Sequence, residues 1–245
     1  MKNVSGFTLD QIKFCLEQMN IPFSVQSVET GQRYVFKSLK EIGPAGIYFL
    51  TDENHSSPTI DHSLIFLSGA AQCGEGNVMI KVKDPELTYY KLMKRMVGVS
   101  QKPIGIHPLA VVDDNCDIDT TAYIGPFCLL EGCVVKAEVS LHSHVTVMSG
   151  SVIEENVIIE SHSTIGATGV AWAWDPDTRQ RIIPPKTGFT TIGKNTYIGT
   201  DVTVARGSIN EITSIAKGCI IAHGVKIGSG SRIGAECHLA NNVTI

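Results

Sequence analysis

The chain has 245 residues, 43% of them hydrophobic and 18% charged, with a net charge of −4. That supports one or two packed domains, and the absence of a basic block argues against nucleic acid as a partner. No stretch reaches the roughly 18 apolar residues of a membrane span, and Asp10 and Lys13 interrupt any signal-peptide core in the first fourteen residues, so a cytoplasmic location is expected.

Residues 1–105 read as a small α/β domain. Thr8 and Gln11 have capping-box spacing and predict a helix through about Gln18. Short apolar runs predict strands at Tyr34 to Phe36, Ile47 to Leu50, Ser63 to Leu67 and Val78 to Val82. Asp84 as N-cap and Pro85 as first residue predict a second helix to about Met96. Gln101 to Gly105, with Pro103, is the expected hinge.

From Ile106 to Ile245 the chain repeats every six residues. Aliphatic side chains fall at Ile106, Val112, Ile118, Ile124 and Leu130. After a one-residue slip they resume from Val135 to Ile165, then again from Ile192 to Val204 and from Ile215 to Ile245. This period fits neither a single helix nor a single strand. It marks a β-helix, a solenoid of short strands and tight turns. Two residues before each aliphatic position sits a small or β-branched one, such as Cys128, Val139, Ser163 or Cys219. Residues two apart in a strand share a face, so both point inward. Five of the seven cysteines occupy this small inward position and read as core filler. Gly follows the aliphatic residue at Gly125, Gly166, Gly193, Gly199, Gly228 and Gly234, where a positive φ is expected.

Between Ile165 and Ile192 the repeat lapses. A loop at about 167–191 holds both tryptophans, Trp172 and Trp174. Long loops inside regular arrays are functional or disordered; this composition predicts an arm, either walling a pocket or clamping a sister subunit. A shorter break after Val204 contains Arg206.

Of eight histidines, His223 lies two places after Ile221, at a corner of the prism and beside Gly224. An exposed surface imidazole is the simpler reading of that spacing; a general base is the sharper one. His142, His144 and His162 fall at coil spacing, which suits polar stacking or, as a less favoured reading, a zinc site. No bound metal is expected.

The whole chain resembles the UDP-3-O-acylglucosamine N-acyltransferases of lipid A synthesis, within the hexapeptide-repeat acyltransferases. The resemblance is carried by Asp84-Pro85 before Leu87-Thr88-Tyr89, by Ile106-His107-Pro108, by Gly166-Ala167-Thr168-Gly169, by Ala205-Arg206-Gly207 and by Ile221-Ala222-His223. It implies a mainly β fold: a nucleotide-binding-like α/β domain over 1–105, then a left-handed parallel β-helix over 106–245. It also implies a homotrimer with active sites between prisms. It implies direct transfer of an acyl group from an acyl carrier protein or coenzyme A thioester to the amine of a UDP-linked amino sugar. His223 would be the base and the Asn241 backbone N–H, one coil above, the oxyanion donor. No permanently bound cofactor is implied. Phe49, Asp52, His55, Asp84, Trp172, Trp174 and Arg206 become substrate-binding candidates.

The chain departs from the family pattern at Asp52, Thr168 and Ala205. The family also continues beyond the position of Ile245 into further coils and helices; a chain that ends here is expected to favour a short donor such as acetyl-CoA. An acetyl-CoA-dependent sugar N-acetyltransferase and a non-catalytic trimeric scaffold that binds sugar nucleotides are the competing expectations.

Overall fold

The computed structural model describes residues 6–26, 31–51, 60–69, 75–98 and 103–245. Asp52, His55 and Cys73 lie outside the described residues. The chain divides into two compact units, Met1–Gln101 and Lys102–Ile245.

The first unit runs β1 (Phe7–Thr8), α1 (Leu9–Gln18), β2 (Ser24–Gln26), β3 (Arg33–Phe36), β4 (Gly46–Leu50), β5 (Leu64–Leu67), β6 (Val78–Lys81) and α2 (Pro85–Val97). Its sheet has the order β1-β3-β4-β5-β6-β2. The four inner strands are parallel, and β1 and β2 close the edges antiparallel. All four residues of β5 are buried, as expected for a strand covered on both faces. One side packs on Ile12, Leu16 and Leu92 of the two helices. The capping box forms: Gln11 N–H donates to Thr8 Oγ1 at 3.3 Å and Thr8 N–H donates to Gln11 Oε1 at 3.0 Å. The edge strands β1 and β2 are too short to carry a period, and sequence reading missed them.

The second unit is a left-handed parallel β-helix with three faces. Seven strands form face I: Gly105–Ile106, Tyr123–Ile124, Ser140–Leu141, Ile158–Ile159, Tyr197–Ile198, Ile220–Ile221 and His238–Leu239. The other two faces have six strands each. Register keeps the hexad aliphatics in columns: Ile124 pairs with Leu141, Leu141 with Ile159, Ile159 with Ile198, Ile198 with Ile221 and Ile221 with Leu239. The inner rungs bury these side chains completely, together with their small partners Val139, Val157 and Cys219. Buried Ser163 meets its polar needs by donating to the Gly199 carbonyl at 2.7 Å and accepting from Val202 N–H at 3.0 Å. The end rungs are less covered: Ile106 is 51% exposed and Val112 and Ile118 are half-buried, because first-rung strands have a neighbour on one side only.

The glycines depart from expectation. Of the six that follow the aliphatic column, only Gly166 has a positive φ. Elsewhere the left-handed residue comes two places later, as at Phe127, Asn195, Asp201 and Glu236. Gly125, Gly193, Gly199 and Gly228 are required by close approach instead: a Cβ on Gly193 would stand 2.5 Å from the Ala216 carbonyl carbon in the next coil, whereas one on Gly234 would meet only ordinary contact.

The loop at 167–191 leaves the coil after Thr164–Ala167 and rejoins it at Phe189–Ile192. It contains an antiparallel hairpin pairing Ala173–Asp175 with Gln180–Ile182. Asp175 closes its turn, accepting from Asp177 N–H, Thr178 N–H and Thr178 Oγ1. Those bonds, the Thr178 hydroxyl first, hold the Asp175 carboxyl below its usual range.

Candidate active site

His223 stands exposed at the corner that follows Ile220–Ile221. Its ring folds back over the coil below, where Gly199 lacks a side chain; a Cβ there would lie 3.0 Å from Nδ1. Nδ1 accepts the Thr200 N–H at 2.9 Å. The neutral ring therefore carries its proton on Nε2, and in this resting pose the outer nitrogen is a donor. One coil above, Asn242 N–H donates to the His223 carbonyl at 2.9 Å. The adjacent Asn241 N–H has no backbone acceptor among the described residues, and Asn241 is exposed. The corner thus presents one imidazole and one free backbone donor in successive coils.

Arg206, a substrate-binding candidate, bridges the coil and the inserted arm. Its Nε donates to the Gly166 carbonyl at 3.1 Å, Nη2 to the Ser149 carbonyl at 2.6 Å and Nη1 to the Lys186 carbonyl at 3.4 Å. Gly166 and Lys186 flank the inserted arm, so the guanidinium clasps both roots of the arm to the coil. Trp172 and Trp174 sit on the hairpin, each 54% exposed, with the Arg181 guanidinium 4.9 Å above the Trp172 ring.

In the first unit Phe49 packs at 5.1 Å against Tyr89 and 5.9 Å against Tyr90. It borders a concavity of about 470 Å³ that Lys37, Ser38, Lys40, Tyr90 and Met93 also line. Asp84 is spent as the N-cap of α2, accepting from Leu87 N–H at 2.9 Å. Asp84→Ala should therefore destabilise the protein by about 1 kcal/mol in urea unfolding, with Asp84→Asn retaining most of that. An unchanged midpoint for Asp84→Ala would free the residue for ligand contact.

Sequence reasoning overlooked Glu160 and Tyr197. Glu160 lies 18 residues after His142, so the coil period puts one above the other. His142 Nδ1 is 3.3 Å from Glu160 Oε2, and Tyr197 Oη donates to Glu160 Oε1 at 3.2 Å. Burial first, then the Glu160 charge, raises the Tyr197 phenol above its ordinary value. Its neutral form is favoured in the fold, so its contribution holds below the usual tyrosine range, near pH 10, and is lost as pH rises through the raised value. Between pH 9 and 11 the melting temperature of Tyr197→Phe should fall less steeply than that of the parent.

His144 and His162 stack at 4.7 Å, with Phe127 4.9 Å beneath His144. Among the described residues no group of three His, Cys, Asp or Glu side chains converges to hold a metal, and no helix is long and apolar enough to cross a membrane.

No family model matches the chain. A UDP-3-O-acylglucosamine N-acyltransferase of Bordetella pertussis is 29% identical, over 85% of this chain and 67% of its own length. One from Coxiella burnetii is 30% identical, over 74% of this chain and 57% of its own. The chain thus spans from just over half to about two thirds of the length of these relatives. A UDP-N-acetylglucosamine O-acyltransferase structure from Moraxella catarrhalis overlays with a TM-score of 0.47 at 19% identity, covering 57% of this chain and 59% of that one. By sequence kinship running through most of its length, this chain is a homologue of the UDP-3-O-acylglucosamine N-acyltransferases.

Proposed function

We propose that the protein transfers an acyl group from a thioester to the amine of a UDP-linked amino sugar, in lipid A or surface-glycan synthesis. The observation that carries this reading is the exposed His223 imidazole on a rigid corner, one coil below the free Asn241 N–H, in a chain akin to named acyltransferases. The unprotonated amine attacks the thioester carbonyl carbon. Its proton passes to His223 as the tetrahedral oxyanion forms, and the Asn241 N–H donates to that oxygen. The carbon–sulfur bond then breaks, and the departing thiolate takes the proton from the imidazolium.

The resting tautomer must change first. For Nε2 to accept a proton, the ring proton moves to Nδ1 and the bond from Thr200 N–H is given up, at about 0.5–1.5 kcal/mol. That is small beside what a positioned base contributes.

The concavity beside Phe49 and Tyr90 suits a planar base, and we assign the uridine there. A homotrimer, with Trp172 and Trp174 of each arm laid on a neighbouring copy, would cover the exposed apolar surface of the hairpin.

The test offers the purified protein UDP-3-O-acylglucosamine with a hydroxyacyl carrier protein or with acetyl-CoA. Amide product and free thiol from either donor support the reading, and the faster donor identifies the thioester. Binding of the UDP-sugar without transfer from both donors would overturn it in favour of a scaffold.

A further inference from the structure

The three coil histidines whose ring nitrogens have hydrogen-bond or ion-pair partners are not equivalent. Nδ1 of His107 accepts Leu109 N–H at 3.1 Å, and Nδ1 of His223 accepts Thr200 N–H at 2.9 Å. Both neutral rings therefore keep a proton on the outer nitrogen. His142 is set the other way. Its Nδ1 faces the Glu160 carboxylate at 3.3 Å, and a carboxylate only accepts. That contact favours the proton on Nδ1, which leaves the lone pair on Nε2. Glu160 is itself held, because its other oxygen accepts from Tyr197 Oη. Strand pairing fixes all three residues: Leu141 pairs with Ile159 and Ile159 with Ile198. The carboxylate side chain is 26% exposed and the imidazole 46%, so the pair lies at the solvent boundary.

The surroundings narrow the ligand. Neither the strands of face I nor the residues that directly follow them include Lys or Arg, and Glu160 is the one acid there. The other two faces carry charges of both signs, including Asp117, Lys136, Glu154, Lys226 and Arg232. Outward on face I stand the Tyr123 and Tyr197 rings, Ile158 and Ile220. Such a face offers apolar ring surface and two tyrosine hydroxyls but no cation for a phosphate.

We propose that His142, oriented by Glu160 and Tyr197, is a hydrogen-bond-accepting site for a hydroxyl of an uncharged sugar-type ligand on face I. The site is separate from His223, about three coil spacings or some 14 Å away along the axis. The ligand O–H donates a hydrogen bond to Nε2, and Glu160 holds the imidazole in the orientation that presents that lone pair. Glu160 is a positioning residue in this scheme. The inference does not rest on the acyl-transfer reading.

The test uses full-length protein labelled with 15N-histidine. Above the imidazole titration, ring-nitrogen shifts should show His142 with its proton on Nδ1, and Glu160→Ala should return it to the Nε2–H form, with Glu160→Asp keeping most of the native pattern. Diethyl pyrocarbonate should modify His142 severalfold faster in the parent than in Glu160→Ala, and millimolar N-acetylglucosamine should slow that reaction where inorganic phosphate leaves it unchanged. An Nε2–H tautomer in the parent overturns the site. Equal protection by phosphate, or none by the sugar, overturns the ligand class. Thioester turnover is read separately, so loss of the acyl-transfer reading leaves these outcomes intact.

Discussion

His223→Ala is expected to lower acyl transfer by about 10²- to 10⁴-fold, the usual contribution of a positioned base, while the coil stays folded. Stability should hold because the ring is exposed and its one bond, from Thr200 N–H, can be replaced by water. The loss should appear in kcat at saturating sugar, with KM little changed, because the proton is taken only in the transition state. Full turnover in this variant removes His223 from the chemistry. A second substitution separates base from scaffold: Gly199→Ala puts a Cβ 3.0 Å from Nδ1 and 2.9 Å from the Ala222 carbonyl carbon. That methyl expels the ring from its resting pose and strains one coil contact, so activity and stability should both change.

The solenoid was legible because its rule is local and repeated. An inward aliphatic with a small residue two places before it can be read at Ile159 with Val157 or at Ile221 with Cys219, and the structure buries all four. The helices were legible from caps, Thr8 with Gln11 and Asp84 with Pro85. The turn chemistry was not. Glycine was read as the residue of positive φ, yet corners of the coil hold Phe127, His144 and His162 there, with their rings stacked along the axis. The neighbouring coils over-determine that backbone, and stacking offsets part of the strain. The stacking expected of the coil histidines is present at His144 and His162, but single-coil reading could not find Glu160, because its link to His142 exists only across one full turn. The His223 corner was legible as a position, but its tautomer depends on the Thr200 N–H one coil below, which no linear motif encodes.

Arg206→Ala should have the largest structural effect outside the buried column. The guanidinium donates to the carbonyls of Ser149, Gly166 and Lys186, joining a coil corner to both ends of the inserted arm. Its own carbonyl accepts from Ser229 Oγ at 2.7 Å, so the residue is also held from the coil above. A hydrogen bond from a charged donor is worth about 1.5–3 kcal/mol, and stranding part-buried carbonyls adds to the cost. Because the three bonds share one side chain they do not sum, and a total on the order of 3 kcal/mol for anchoring the arm is expected. That corresponds to a roughly 100-fold rise in the detached fraction of the arm, read as faster limited proteolysis between residues 168 and 187. Arg206→Lys should recover less than half of this, because one ammonium cannot span three carbonyls that the planar fork reaches together. Should the alanine variant resist protease like the parent yet lose affinity for the UDP-sugar, the guanidinium would be a ligand contact and the clasp incidental. If it loses both, the arm that carries Trp172 and Trp174 is itself part of the binding surface, and Arg206 acts on substrate through the arm it holds.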